Sequence, residues 1–333
     1  MAASKILGTG HFLPEKVVTN FDIMKRMETS DEFIVSRTGV HTRRHAEADV
    51  SATDLAEKAC RAAVADACLT MDDIDLLVMN TITPDHADPG SGFFLQAKLG
   101  MTNTPVYDIK EQCAGLIYGI ALGDSFITTG KYRHVLIVCA EVLSKRIDGS
   151  NDGRNIAILL GDGAGAVVLG PSDYADKGIL YTKLGADGRD AKALYTAAPG
   201  TGLNRADCIN TDDVAAGRVH FRMDGKAVFE NGVAKMSQAV VEALQDNGIG
   251  FGELDLLIPH QANLRMLEAI IQTTKAPAEK VFANVDKLGN MASACLPVAL
   301  DQAIQGGRIK QDSLVLLVAF GSGFVWAAAL IRF

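Results

Sequence analysis

Two apolar segments each occur twice in this chain at a single spacing. Ile74-Asp-Leu-Leu-Val78 is matched by Leu254-Asp-Leu-Leu-Ile258, and Val135-Leu-Ile-Val138 by Val315-Leu-Leu-Val318, both 180 positions further on. Short apolar, β-branched runs of this kind read as strands buried on both faces, and each pair encloses a stretch with helical patterning. A repeat without net gap predicts an α/β unit built twice.

Ala114 to Thr129 carries small and apolar residues all round, as a helix enclosed between layers does, and Met291 to Ile304 reads the same way. Both are expected to be central helices. The polar, turn-forming Pro171-Ser-Asp-Tyr-Ala-Asp-Lys177 divides the chain into halves 1–172 and 173–333. Gly185 to Val219 reads as a long excursion of the second half.

With 333 residues, 48% of them hydrophobic and 22% charged, the chain can bury one large core or two fused smaller ones. Its longest apolar runs, Leu314 to Phe320 and Val325 to Ile331, fall short of the roughly 20 residues that span a bilayer. Met1-Ala-Ala-Ser-Lys5 leads into Ile6 without a long apolar signal segment. These features predict a cytoplasmic chain without membrane insertion. A net charge of −8 disfavours nucleic acid as a partner, because a phosphate backbone demands a basic face. Cys60, Cys68, Cys113, Cys139, Cys208 and Cys295 form no Cys-x-x-Cys pair and no metal-ligand spacing. Neither a metal site nor a disulfide framework is expected, and free thiols suit a reducing compartment.

Cys113 stands between the extended Pro105 to Ile109 and the first central helix, so free backbone N–H groups and the helix dipole favour its thiolate, with a histidine as the expected base. Its own N–H is a candidate oxyanion donor. Locally, a buried core cysteine is an equally good reading. His260, in Pro259-His-Gln-Ala-Asn-Leu-Arg265, follows a strand at the end where α/β sheets open their crevices. His11, His41, His45, His86, His134 and His220 are left as structural or solvated. Asn290 precedes the second central helix; taken alone, helix capping is its better role. The repeat makes the two helix starts pseudo-symmetry mates on one crevice, which brings Cys113, His260 and Asn290 together. Gly161-Asp-Gly-Ala-Gly-Ala166 is followed by Val167-Val-Leu169 where a dinucleotide fingerprint needs a helix, so it reads as a structural turn. Phe320-Gly-Ser-Gly-Phe324 offers glycine backbone to the thiol, with Gly323 as a second oxyanion donor.

These segments, together with Thr29-Ser-Asp-Glu-Phe-Ile-Val-Ser-Arg-Thr-Gly39 and Leu288-Gly-Asn290, make the chain resemble the β-ketoacyl-acyl carrier protein synthase III family over nearly its whole length. The resemblance implies a thiolase-like fold with duplicated α/β halves and central helices between sheets, layered αβαβα. It implies ping-pong acyl transfer from acyl-coenzyme A to Cys113, with the Cys113 and Gly323 amides as oxyanion hole. Decarboxylative condensation with malonyl-acyl carrier protein would then be promoted by His260 and Asn290. No metal or redox cofactor is implied. Phe33, Arg37, Arg154, Phe229 and Asn263 would meet coenzyme A and its pantetheine arm, Arg265 would receive the carrier protein, and the enzyme would be a homodimer.

Several positions depart from the family's housekeeping members. Phe33 replaces a tryptophan, Asp88 an apolar residue that closes the acyl pocket, Glu111-Gln112 small residues before the nucleophile, and Glu230 a lysine used in carrier docking. Glu111-Gln112-Cys113, Asp88-Pro89 and Leu288-Gly-Asn-Met-Ala-Ser293 also resemble a specialised branch that condenses aroyl or longer acyl groups in alkylquinolone-like pathways. A non-catalytic acyl-binding partner subunit is the reading from another class, and the intact Cys113, His260 and Asn290 weigh against it.

Overall fold

A computed structural model describes residues 3–174 and 176–333; Met1 and Ala2 of the N-terminal reading and Ala175 of the dividing segment lie outside the described residues. Both repeated segment pairs form neighbouring parallel strands. Leu76–Asn80 lies beside Val135–Glu141, and Leu256–Pro259 beside Leu314–Gly321. Each second strand then pairs antiparallel with its successor, Gly163–Ser172 in the first half and Val325–Arg332 in the second. Ala3–Phe12 closes the first sheet and Gly178–Ala186 closes the second. The four-strand order is thus the same twice. The first sheet adds a fifth strand, Val106–Ile109, at its far edge; the second has only a single parallel bridge there, Leu257 to Val281.

The central helices, Gly115–Thr128 and Cys295–Gln305, lie between the sheets. Ile117 and Ile120 of one and Leu296 and Leu300 of the other share a core with Val78 and Ile137 of the first sheet and Ile258 and Leu317 of the second. The alternate residues point outward. Leu77, Met79, Leu136 and Val138 pack against the helix Ala52–Asp66, and Leu257, Leu316 and Val318 pack against Gly225–Asp246. Every central strand is therefore covered on both faces, which is why its sequence is a continuous apolar run rather than an alternating one. The layers run helix, sheet, two helices, sheet, helix.

The two kinds of helix start differently. Ser51 and Asp54 form a capping box on the outer helix of the first half, and Asp224 accepts from the N–H groups of Lys226 and Ala227 on that of the second. Both central helices follow an alanine, Ala114 and Ala294, with no side-chain cap. The Gly161 to Ala166 run leads into the strand Gly163–Ser172, and a Cβ on Gly165 would stand 2.7 Å from Pro297 of the second central helix. Its small residues serve helix-on-sheet packing.

The excursion from Gly185 to Val219 is anchored by Asp213, a buried carboxylate that takes Arg218 Nε at 2.6 Å and is paired with Arg205. Leu194–Tyr195, within it, pairs antiparallel with Arg222–Met223. Leu194 and Met223 of this pair line the crevice that holds Cys113.

Candidate active site

Strand Leu76–Asn80 ends in a buried asparagine that holds the turn carrying Cys113. Asn80 Oδ1 accepts the Glu111 N–H at 2.9 Å, and Asn80 Nδ2 donates to the Gln112 carbonyl at 3.3 Å. The chain then makes a 3-10 turn, Gln112–Ala114, entered through Gln112 at φ +49°. A left-handed non-glycine residue costs roughly 1–2 kcal/mol, so the turn persists because its surroundings fix it. Gly115 has no space for a side chain, since a Cβ would stand 2.2 Å from Asn80 Cγ. From the other half, Gly321 approaches so closely that a Cβ would lie 2.8 Å from Cys113 N. Ser322 Oγ donates to Gln112 Oε1 at 2.9 Å.

The second central helix begins in the same way, with Ala292 at φ +46° and the 3-10 turn Ala292–Ala294. The helix starts are mates, as expected, but Asn290 is not the mate of Cys113. That place belongs to Ser293, whose hydroxyl donates to the buried Glu141. Asn290 does not cap the helix either. Its Oδ1 accepts from the Ala292 N–H at 2.8 Å and from the Cys295 thiol at 3.6 Å. Those contacts turn its amide N–H groups toward the crevice.

His260 follows strand Leu256–Pro259, and its N–H donates to the Val318 carbonyl at 2.8 Å. The ring is buried, with Nδ1 unpartnered among the described residues, and burial lowers its pKa to about 4. Near pH 7 it is a neutral imidazole with one N–H to give. Burial acts on Cys113 as well. Desolvation, then the neighbouring Cys295 and Glu141, push its thiol well above the ordinary range. This direction runs against the thiolate bias expected from the helix start, an effect of at most about 2 kcal/mol, although the thiol is half-buried.

Two cavities meet at Cys113. The first, about 510 Å³, runs from Arg37, Phe229, Glu230, Asn263 and Arg265 inward to Cys113, His260 and Asn290. The second, about 720 Å³, shares Cys113, Asn290 and Ser322 and extends past Ile82, Leu143 and Leu160 to Arg146, Tyr195 and Phe221. A third, about 570 Å³, continues from Arg37 and Asn263 to Phe33 and Arg154. There the Phe33 ring faces two guanidinium groups, Arg154 at 5.0 Å and Arg37 at 5.6 Å. Asn263 also caps the helix Leu264–Thr274 by accepting the Met266 N–H at 2.9 Å.

The structure therefore gathers Cys113, His260, Asn290, Phe229, Asn263, Arg37 and Arg265 along one cavity. Gly323 lines only the second, whereas Ser322 lines both. Asp88 is exposed in the single chain, directly after Pro84 to Ala87, which line the second cavity. Two histidines set aside in sequence also border the crevice, His86 in the second cavity and His220 in the third.

Sequence reasoning missed Asn80 and Glu141. Glu141 is buried at the end of strand Val135–Glu141, where it accepts from Ser293, from Thr83 Oγ1 at 2.8 Å and from the Ile82 N–H at 3.2 Å. Burial raises its carboxyl to about 7, against the opposing effect of those hydrogen bonds. The repeat held the signal for Asn80, 180 positions before His260, and for Glu141 only through its partner Ser293, 180 positions after Cys113.

Comparison with known proteins agrees with this architecture. The model described as 3-oxoacyl-[acyl-carrier-protein (ACP)] synthase III matches residues 107–188, and the one for the C terminal of that enzyme matches residues 244–333. A β-ketoacyl-[acyl-carrier-protein] synthase III of Caldanaerobacter subterraneus is 42% identical over 330 residues, covering 99% of this chain and 98% of the relative. Among solved structures, the 3-oxoacyl-[acyl-carrier-protein] synthase III of Aquifex aeolicus superposes with a TM-score of 0.89 at 37% identity, covering 99% of this chain and 100% of its own. The synthase III of Thermus thermophilus gives 0.89 and 37%, covering 99% of both. With its duplicated sheets, its strained turn and Cys113 at the meeting of two cavities, the chain belongs to the 3-oxoacyl-acyl carrier protein synthase III family of thiolase-fold condensing acyltransferases.

Proposed function

We propose that the protein transfers an acyl group from acyl-coenzyme A to Cys113 and condenses it with malonyl-acyl carrier protein, as a β-ketoacyl synthase of fatty-acid initiation or elongation. The observation that carries this reading is the position of the thiol where two cavities join, with His260 and Asn290 on the side facing Arg37 and Arg265. In the first half-reaction the pantetheine arm lies in the first cavity and the acyl chain passes into the second. The Cys113 sulfur attacks the thioester carbonyl, coenzyme A leaves, and the thiol proton departs with it. The backbone N–H of Cys113 and that of Gly323 or its neighbour Ser322 receive the oxyanion.

In the second half-reaction the malonyl thioester takes the place of coenzyme A. Its carbonyl accepts from the neutral His260 ring and the Asn290 amide. Loss of carbon dioxide leaves an enolate that those donors stabilise. The enolate carbon attacks the acyl-cysteine carbonyl, the carbon–sulfur bond breaks, and a proton restores the thiol. The reaction needs no metal or redox cofactor. Phe33 and Arg154 are assigned to the nucleotide end of coenzyme A, Phe229 and Asn263 to its pantetheine, and Arg265 to an acidic carrier protein. A homodimer in the cytoplasm completes the proposal; among the described residues no helix is long and apolar enough to cross a membrane.

The test is intact-protein mass after incubation with acyl-coenzyme A donors, followed by product formation on adding malonyl-acyl carrier protein. Acylation confined to Cys113 and decarboxylation-dependent product are expected. Wild-type protein that takes up no acyl group from any donor would return the non-catalytic partner subunit to first place.

A further inference from the structure

The second cavity, into which the acyl group would pass, is not wholly apolar. Arg146 lines it, directly after the short turn Leu143–Lys145. Its guanidinium lies 5.5 Å from the centre of the Phe221 ring and, among the described residues, makes no side-chain hydrogen bond or ion pair. It is half-buried, and that burial lowers its pKa with the charge of Glu141 opposing. Glu141 is itself occupied by Ser293, Thr83 and the Ile82 N–H. Lys110 is a second cation on the cavity wall, also without an ion pair among the described residues. The one carboxylate on the wall, Asp85, is taken by the Thr53 N–H at 3.1 Å and by the Thr53 hydroxyl.

A half-buried guanidinium whose donors no protein group takes among the described residues, at a wall where the carboxylate present is already engaged, is a receptor for a planar anion. Anions of two origins reach this crevice under the proposed reaction: a carboxylate at the far end of the acyl donor, and the malonyl carboxylate of the acceptor. The acceptor's thioester carbonyl is placed by His260, which lines only the first cavity, whereas a donor's chain runs from Cys113 into the second. We propose that this cavity selects an acyl donor ending in a carboxylate, a dicarboxylic half-thioester, held by Arg146 with Lys110 as the second cation. This inference rests on acyl loading at Cys113 as proposed above.

Glutaryl-coenzyme A and pentanoyl-coenzyme A differ by a carboxylate in place of a methyl at the chain end. Loading rates of the full chain with each, read as Cys113-acylated mass without any malonyl acceptor, isolate the donor. The wild type should load glutaryl at least as fast as pentanoyl. Arg146→Leu should lower the glutaryl-to-pentanoyl ratio about 10- to 100-fold, the usual effect of losing a charge-assisted hydrogen-bonded pair, and Arg146→Lys should lower it less. The ratio is read within each variant, so a general loss of folded protein does not mimic the result.

An unchanged ratio in Arg146→Leu, or a wild type that loads pentanoyl and refuses glutaryl, would overturn the inference and leave the proposed function standing. A defect confined to condensation, with both loading rates intact, would assign Arg146 to the acceptor's carboxylate and overturn the donor assignment. Failure of every donor to load would remove the proposed function and this inference together.

Discussion

Gln112-Cys113-Ala114 and Ala292-Ser293-Ala294 lead into the two central helices through the same 3-10 turn, entered at φ +49° in one and +46° in the other. The first copy offers a thiol to two cavities; the second turns a hydroxyl inward to Glu141. The strand ends repeat the contrast. Asn80 grips the turn that carries Cys113, whereas its mate His260 lines the first cavity. Duplication delivered each geometry twice. In each pair one copy lines the crevice and the other braces it, so similarity of backbone does not make the two entrances interchangeable.

The most direct way to break that comparison is to move the thiol. Cys113→Ala should reduce acyl loading below detection by intact mass. Adding Ser293→Cys should not restore it, because that position is buried beside Glu141 rather than open to a cavity. Recovery of an acyl adduct in the double variant would show that the two entrances are functionally equivalent.

Asn290 tests the division of labour within the second copy. Asn290→Ala should keep acyl loading while slowing condensation about 10²- to 10³-fold, the range for losing one oxyanion donor. Equal loss of both half-reactions would mean that Asn290 orders the turn rather than the acceptor.

Asn80→Ala sharpens the comparison from the bracing side. Two hydrogen bonds to the Cys113 turn are lost, at about 1–3 kcal/mol of stability for buried groups left unpaired. A thiol displaced by even about 1 Å costs on the order of 10²-fold in rate. Loading should fall with little change in the apparent KM for acyl-coenzyme A. A matching rise in KM would place the defect in the binding channel.

The repeat was readable because strands covered on both faces need uninterrupted apolar runs, and the central helices because enclosure favours small and apolar residues on every side. That Cys113, His260 and Asn290 share one cavity was readable from their places at strand and helix ends. Asn80 and Ser293 are within reach of the same spacing at the level of single positions. Other features depend on distant packing. The excursion that lines the crevice is held by Asp213 with Arg205 and Arg218, an arrangement with no local pattern. The direction of the Cys113 shift follows from desolvation and from Cys295 and Glu141, two residues distant in the chain and absent from a reading of its neighbours. Which of Ser322 and Gly323 borders both cavities is set by how the loop folds over Gln112.

Glu141 gives the smallest expected effect on catalysis and a distinct signature in stability. Its folded carboxyl is raised to about 7 from an ordinary 4.5, so the native state holds a proton that the unfolded chain releases. Unfolding free energy should therefore fall as pH rises from about 4.5 to about 7 and level off above, by about 3 kcal/mol at 1.36 kcal/mol per pH unit. His260, lowered to about 4 from 6.5, has the opposite slope across an overlapping interval: its contribution is complete above about 6.5 and is lost as pH falls through 4. The two partly cancel in the wild type, so the carboxyl must be isolated by substitution. Glu141→Gln keeps an acceptor for Ile82 and partners for the hydroxyls of Thr83 and Ser293 while removing the titration. His45, Asp108, Asp124 and Asp162 are also shifted but are shared by both proteins, so denaturant unfolding between pH 4.5 and 8 should show a more positive slope of stability with pH in the variant than in the wild type. Parallel profiles would mean that Glu141 stays ionised in the core, and that Ser293 braces a charge instead of a neutral acid.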